Sequence, residues 1–405
     1  MMKIGILTFH RSVNNGAVMQ AYSLSKRLAD EYPGIKIEII DFHMKKVMKS
    51  YHYNFFNYIR DSNIFIVFKK IVKLFLNPMI IYRLNKRTKI FDNSINILPL
   101  SGKKIISDST NELVDYINSR YQILIVGSDA VWNYVTRGFP NAYFPDQKIK
   151  IAKLSYAASC YGMEFYSYCE NNKLNIKKIL NDFYFIGVRD KATEDFVKWC
   201  DCTKKPYHTC DPTAFLDLNN LPIDIERLKS KLEKKGFDFN KPTIGLMGNE
   251  KMCSMLRNFF GKKYQIVALY EYVKKADVNL YDLTPYEWAY VFKYFKITFT
   301  TYFHGTMLSL RNGIPVICIS LKTDFSKKHD SKTLDLLKRL NYSDWYFSTD
   351  YKKENFDSIK NKALELLSKN IRNEILNKMN DEAQSFYVFK NELDKLINNY
   401  KKGEL

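Results

Sequence analysis

Three stretches of the chain put chemistry-bearing side chains directly after runs of β-branched and aromatic residues. The first is Ile297-Thr298-Phe299-Thr300-Thr301-Tyr302-Phe303-His304-Gly305-Thr306. Its alternation predicts a buried strand, and Met307, Leu308 and Leu310, stopped by Gly313-Ile314-Pro315, predict a short helix, with His304 on the turn between them. In a parallel α/β sheet ligands sit beyond the carboxyl ends of strands, where the first N–H groups of the next helix face a bound anion. His304, Gly305 and Thr306 therefore make a phosphate or carboxylate corner: glycine admits a close backbone approach, threonine adds a hydroxyl, and histidine carries a proton near neutral pH. A hydrogen-bonded structural histidine is the competing reading.

The second stretch is Tyr121-Gln122-Ile123-Leu124-Ile125-Val126, a buried strand type that runs into Gly127-Ser128-Asp129-Ala130-Val131-Trp132-Asn133. Asp129 is suited to take a proton from a sugar hydroxyl and Trp132 to stack on a ring face; equally, Asp129 caps a helix over a packed tryptophan. The third is Tyr184-Phe185-Ile186-Gly187-Val188-Arg189-Asp190, where Arg189 offers a planar fork for a carboxylate or phosphate, or pairs with a neighbouring acid.

These strand ends need a scaffold. A strand over residues 3–9 leads through Asn14-Asn15-Gly16-Ala17 into an apolar-periodic helix and a second strand at 35–40, a βαβ opening whose turn carries Asn15 and Gly16 where backbone meets ligand. The loop lacks the three spaced glycines of a dinucleotide fingerprint. A polar, lysine-rich segment at 217–241 reads as a hinge, and a second strand series starts at Thr243-Ile244-Gly245-Leu246-Met247. The expected architecture is α/β, two Rossmann-like domains facing a cleft. Residues 1–216 form the first domain, with a basic aromatic insertion at about 43–100, and 242–350 form the second. Helices over 351–405 return to the first domain.

The chain has 405 residues and a formal net charge of +20, which points to an anionic partner. Between Lys45 and Lys89 there are eleven Lys/Arg and one acidic residue, Asp61. Within that segment 63–77 reads as a helix, either packed on its own protein or lying on an anionic bilayer with Lys69, Lys70 and Lys73 near the headgroups. Glycine and aromatic signatures of RNA-binding sheets are missing, so nucleic acid is not expected. The amino-terminal apolar run is too short for a secretory signal and no apolar run reaches membrane-spanning length. Seven cysteines without a regular framework favour reduced thiols, and a cytoplasmic location, at most peripheral at the membrane, is expected. The spacing of Cys200, Cys202, His208 and Cys210 matches no common zinc site, and no metal ligand is assigned.

Six blocks in order, Asn14-Asn15-Gly16-Ala17-Val18-Met19-Gln20-Ala21-Tyr22, Val126 to Asn133, Leu154-Ser155-Tyr156-Ala157-Ala158-Ser159, Gly187-Val188-Arg189-Asp190, Asp211-Pro212-Thr213 and Tyr302 to Thr306 with Gly313-Ile314-Pro315, resemble the polysaccharide pyruvyl transferase family. The resemblance implies a GT-B-like fold and transfer of pyruvate from phosphoenolpyruvate, a co-substrate rather than a cofactor, onto two hydroxyls of a saccharide. The product is a cyclic ketal and the acceptor a cell-surface polysaccharide precursor, which a lipid-linked form would bring to the membrane. It implies that Arg189 and the corner of His304, Gly305 and Thr306 hold the donor. Some members carry Arg where this chain has Tyr302, so Tyr302 stands on the donor side and either one anion contact comes from elsewhere or the donor differs. The chemistry then assigns His304 as acid and Asp129 as the second catalytic group, with Asn15, Gly16, Ser128 and Trp132 on the acceptor side. Two alternatives stand: a glycosyltransferase using a nucleotide sugar in the same cleft, and a non-catalytic surface-binding protein.

Overall fold

The computed structural model describes residues 1–45, 64–76, 78–133, 138–160, 164–321, 330–349 and 356–404. Residues 46–63 and 77 of the basic insertion lie outside the described residues.

Short runs of apolar residues buried on both faces build two sheets, as parallel strands require. The first sheet consists of β1 (Lys3–Leu7), β2 (Lys36–Ile39), β5 (Ile123–Val126), β6 (Ala152–Ala158), β7 (Phe185–Val188) and β8 (Pro206–His208), in the order β2-β1-β5-β6-β7-β8. The second consists of β9 (Thr243–Met247), β10 (Gln265–Ala268), β11 (Val278–Asn279), β12 (Ile297–Thr300), β13 (Val316–Leu321) and β14 (Tyr346–Thr349), in the order β11-β10-β9-β12-β13-β14. A small pair, β3 (Phe42–His43) with β4 (Ile105–Ile106), flanks the first sheet. Every pairing in the two large sheets is parallel.

Both orders reverse direction once, between β1 and β5 in the first sheet and between β9 and β12 in the second. At such a switch point neighbouring loops leave in opposite directions and open a crevice at the strand carboxyl ends. The segments at these points carry Asn15 and Gly16 after β1, Ser128 and Asp129 after β5, and His304 after β12.

The lobes share one buried apolar cluster that runs from Ile4 and Leu154 of the first sheet to Ile244 and Phe299 of the second. Helix Phe386–Lys402 packs on the first sheet: Phe389 meets Tyr156 at 4.9 Å and Phe185 at 5.9 Å between ring centroids, and Tyr32 donates to Asp394 at 2.7 Å. Helix Ile80–Ser94 crosses the other way, pairing Lys86 with Asp282 at 2.7 Å and stacking Arg83 on Tyr272 and Arg87 on Tyr270. Among the described residues no helix is long and apolar enough to cross a membrane. The cysteines are free thiols, and His208 bonds Glu382 at 3.1 Å.

Candidate active site

The site forms around one carboxylate. Asp211 follows β8, and its two oxygens divide their work. Oδ1 accepts from the Thr213 N–H at 3.0 Å and the Thr213 hydroxyl at 2.6 Å, which ties down the loop. Oδ2 accepts from Arg189 Nη1 at 3.0 Å and from Gln20 Nε2 at 2.5 Å, with His304 Nε2 at 3.7 Å. Arg189 and His304, which are 115 positions apart in the sequence and carried on different sheets, therefore meet at a single group.

Arg189 leaves the end of β7 and is 1% exposed. Besides Asp211 it lies 3.7 Å from Asp129 and 3.9 Å from Asp190. Burial disfavours its charge, but the three carboxylates outweigh burial and hold the guanidinium more firmly protonated than usual. Burial likewise pushes Asp211 up, and His304, Arg189 and Thr213 reverse this, leaving its carboxyl well below the usual range. Asp129 shows the same balance: burial raises its pKa, while Arg189, Lys332 and His304 together bring it below the ordinary value. Its backbone has φ of 85°, a conformation uncommon for a residue with a side chain, pinned because its carbonyl accepts from Val131 and Ser159.

His304 is placed by helix Phe303–Arg311 and by what lies across from it. The strand ends at Thr300 and the helix begins two residues before Gly305, so His304 sits inside the first helical turn rather than on the turn before it. The connection is this short because the Thr300 hydroxyl accepts from the Tyr302 N–H at 2.9 Å, closing it locally. Gly16, in the first turn of helix Asn15–Glu31, presses on the imidazole: a Cβ there would lie 1.9 Å from His304 Nδ1. Gly16→Ala therefore has to displace the ring, and turnover is expected to fall roughly 10²-fold, the cost of about 1 Å of misplacement; steady-state kinetics beside a thermal melt checks this.

Several polar atoms of this neighbourhood are buried without a hydrogen-bond partner: Arg189 Nε and Nη2, His304 Nε2, Asn15 Oδ1, Gln20 Oε1 and Ser128 Oγ. Buried polar groups are nearly always paired, so such a concentration marks a place shaped for a polar ligand.

Other expected residues lie elsewhere or act differently. Trp132 is fully buried, stacked on Phe144, edge-on to Phe183, and donates to the Tyr143 carbonyl at 3.0 Å, so it belongs to the core and not to an acceptor face. The Thr306 amide is spent on the Tyr302 carbonyl at 3.1 Å and its hydroxyl lies 3.0 Å from Cys318 Sγ, which removes it from anion binding. Gly305 makes room for Thr300 and Met247, whose atoms would lie 2.4 and 2.8 Å from a Cβ, although its amide remains in the open first turn. Tyr302 turns to Tyr270 and donates to Glu271 at 3.1 Å, and so is engaged outside the Asp211 cluster.

The structure adds groups that local reading passed over. Gln20 and Asp211 stand within the family-like blocks, where nothing in their local pattern marks them as site residues. Phe303 lies between two cations, with Arg189 Cζ at 4.8 Å and Lys332 Nζ at 5.2 Å from its ring centroid. Lys332 opens helix Lys332–Arg339 behind the cap Ser331, and burial followed by Arg189 lowers its pKa to about 8 against the pull of Asp129, Asp190 and Asp211. A lysine at the first position of a helix opposes the helix dipole, a sequence signal for a cation kept there for another purpose.

Among curated proteins none matches this sequence. Solved structures do match in shape. The UDP-GlcNAc 2-epimerase of Neisseria meningitidis, solved bound to UDP-GlcNAc, superposes with a TM-score of 0.51 at 10% identity, over 98% of this chain and 100% of that one. The UDP-GlcNAc 2-epimerase of Methanocaldococcus jannaschii gives 0.53 at 12% identity, over 91% and 94%. Identity this low speaks for the fold alone, a GT-B-type pair of facing parallel sheets. The sequence matches the polysaccharide pyruvyl transferase family over residues 14–323, a span that holds Gly16, Gln20, Asp129, Arg189, Asp211 and His304. With most of its length matched, the chain belongs to the polysaccharide pyruvyl transferase family.

Proposed function

We propose that the protein moves pyruvate from phosphoenolpyruvate onto two hydroxyls of a saccharide, leaving a cyclic ketal and phosphate. The observation that carries this reading is the meeting of Arg189 and His304 at Asp211, with Lys332 beside them and several buried polar atoms without hydrogen-bond partners. Two cations suit a small molecule that bears both a phosphate and a carboxylate.

The reaction needs a proton at the methylene carbon, a hydroxyl at the adjacent carbon, and an exit for phosphate. His304 gives a proton to the methylene, making a methyl group, as the first hydroxyl oxygen bonds to the neighbouring carbon and releases its own proton back to the imidazole. The carbon–oxygen bond to phosphate then breaks, and the second hydroxyl closes the ring, its proton leaving with the phosphate. Arg189 and Lys332 stabilise charge on the phosphate and carboxylate throughout. Asp211 faces the imidazole at 3.7 Å. Asp129, held ionised by its cationic neighbours, is a weak base, and its part is to balance Arg189 and Lys332. Asn15, Gly16 and Ser128 border the acceptor side. No metal enters this scheme.

Incubation with phosphoenolpyruvate and galactose-, mannose- or N-acetylhexosamine-terminated acceptors tests the reading. Phosphate release with an acceptor mass gain matching a pyruvyl ketal supports it; hexose transfer from a nucleotide sugar with no reaction of phosphoenolpyruvate sinks it.

Lys332 makes a pH signature. Its ammonium form, the one that attracts an anion, is present below about 8 and lost above. The kcat/KM for phosphoenolpyruvate should therefore decline as pH rises through about 8, and Lys332→Arg, whose guanidinium does not titrate there, should hold the profile level. An identical alkaline limb in the variant would assign it to another group.

A further inference from the structure

Helix Ile64–Leu76 presents its most aromatic side outward. At 3.6 residues per turn, Ile64, Phe75, Phe68, Val72 and Phe65 share an arc of about 100°. Four of them are 77%, 84%, 66% and 74% exposed, in the order Ile64, Phe75, Phe68, Phe65. The adjoining side, Val67, Ile71 and Leu74, is apolar and partly covered, and Ile66 and Lys70 lie across the helix from the arc. This is the reverse of an ordinary surface helix, whose outward face is polar, and a continuous aromatic patch of this kind marks an interaction surface. Lys69, exposed, borders the arc. The helix is not a loose end: the next one, Ile80–Ser94, is fastened to the second lobe by Lys86 with Asp282 and by Arg87, which donates to the Tyr270 carbonyl at 3.2 Å.

Charge selects the occupant. Residues 45–89 carry eleven basic side chains and one acidic one, and of the basic ones Arg83, Lys86 and Arg87 turn to the second lobe. A second copy of the chain docked symmetrically on this arc would set the same lysines against each other, whereas an anionic lipid surface attracts them, each basic residue near such a surface contributing about 1 kcal/mol. Thirteen residues fall short of the roughly 20 needed to span a bilayer, so the helix has to lie in its plane. We infer that Ile64–Leu76 is a docking surface for an anionic bilayer, with Phe65, Phe68 and Phe75 seated at the acyl boundary and Lys69, at the edge of the arc, toward the headgroups. The inference stands apart from pyruvyl transfer, since its test requires no turnover.

The test is flotation of the full chain with vesicles of phosphatidylcholine alone or mixed equally with phosphatidylglycerol. The protein should rise with the mixed vesicles at low salt and stay down with phosphatidylcholine. Phe65→Ser/Phe68→Ser/Phe75→Ser, changed only at exposed positions, should lose binding at least roughly tenfold while melting at the wild-type temperature, and Lys69→Glu should weaken it too. Wild-type protein remaining at the bottom at low salt overturns the inference. So does flotation that the phenylalanine variant retains in full, and so does a doubled mass in sedimentation that the phenylalanine variant abolishes, which would identify a second copy as the occupant.

Discussion

Arg189→Lys should lower kcat/KM for phosphoenolpyruvate by about 10²–10³-fold while the protein still folds, because it keeps the charge and removes the fork. Arg189 Nη1 is committed to Asp211, which leaves Nε and Nη2, both buried and without hydrogen-bond partners, to face a ligand. An ammonium reaches one of these positions at most. Lysine is a better probe than an uncharged side chain for a reason of stability. Asp129, Asp190 and Asp211 all lie within 4 Å of the guanidinium, and removing the only group that pairs with all three at that range would cost about 3–5 kcal/mol, enough to confuse a folding defect with a catalytic one. Kinetics and melting measured on the same preparation separate the two. A variant within about threefold of wild type would remove Arg189 from donor binding and with it the reason for placing phosphoenolpyruvate here.

The second large effect is at His304. His304→Gln keeps a polar side chain against Gly16 and abolishes proton donation, and kcat should drop about 10³-fold with KM for the donor little altered. Reaction in heavy water adds a second readout: the wild-type product carries deuterium in its new methyl group, and the variant accumulates that product at the reduced rate. Unchanged kcat in the variant would leave the methylene proton to another group.

The strand ends and the long-range meeting at Asp211 differ in how far they were legible. Arg189, Asp129 and His304 each follow a run of four or more apolar or β-branched residues, and that local signature suffices to place them at the carboxyl edge of a sheet. It does not say which way a side chain then turns. Trp132 follows a Gly-Ser turn as a cleft residue would, yet the neighbours that bury it, Phe144 and Phe183, come from later segments. Tyr302 is decided by Tyr270 and Glu271, some thirty positions away in sequence. Thr306 lies one turn deeper than its spacing suggests: a strand ending at Thr300 starts the helix early enough that its amide is already bonded. Lys332 has no strand run immediately before it, and only its awkward position at a helix start distinguished it from the other lysines of a basic chain.

The cross-braces described above bear on how the molecule exchanges its ligands. Phe386–Lys402 holds the tail of the chain on the first sheet, Ile80–Ser94 fastens an early segment to the second, and Glu382 binds both His208 and Arg339, one from each side. Wide jaw-like gaping would have to tear these fastenings and expose the apolar mass beneath them. Gly16 and His304, gripped from opposite halves, thus keep their spacing from one catalytic cycle to the next.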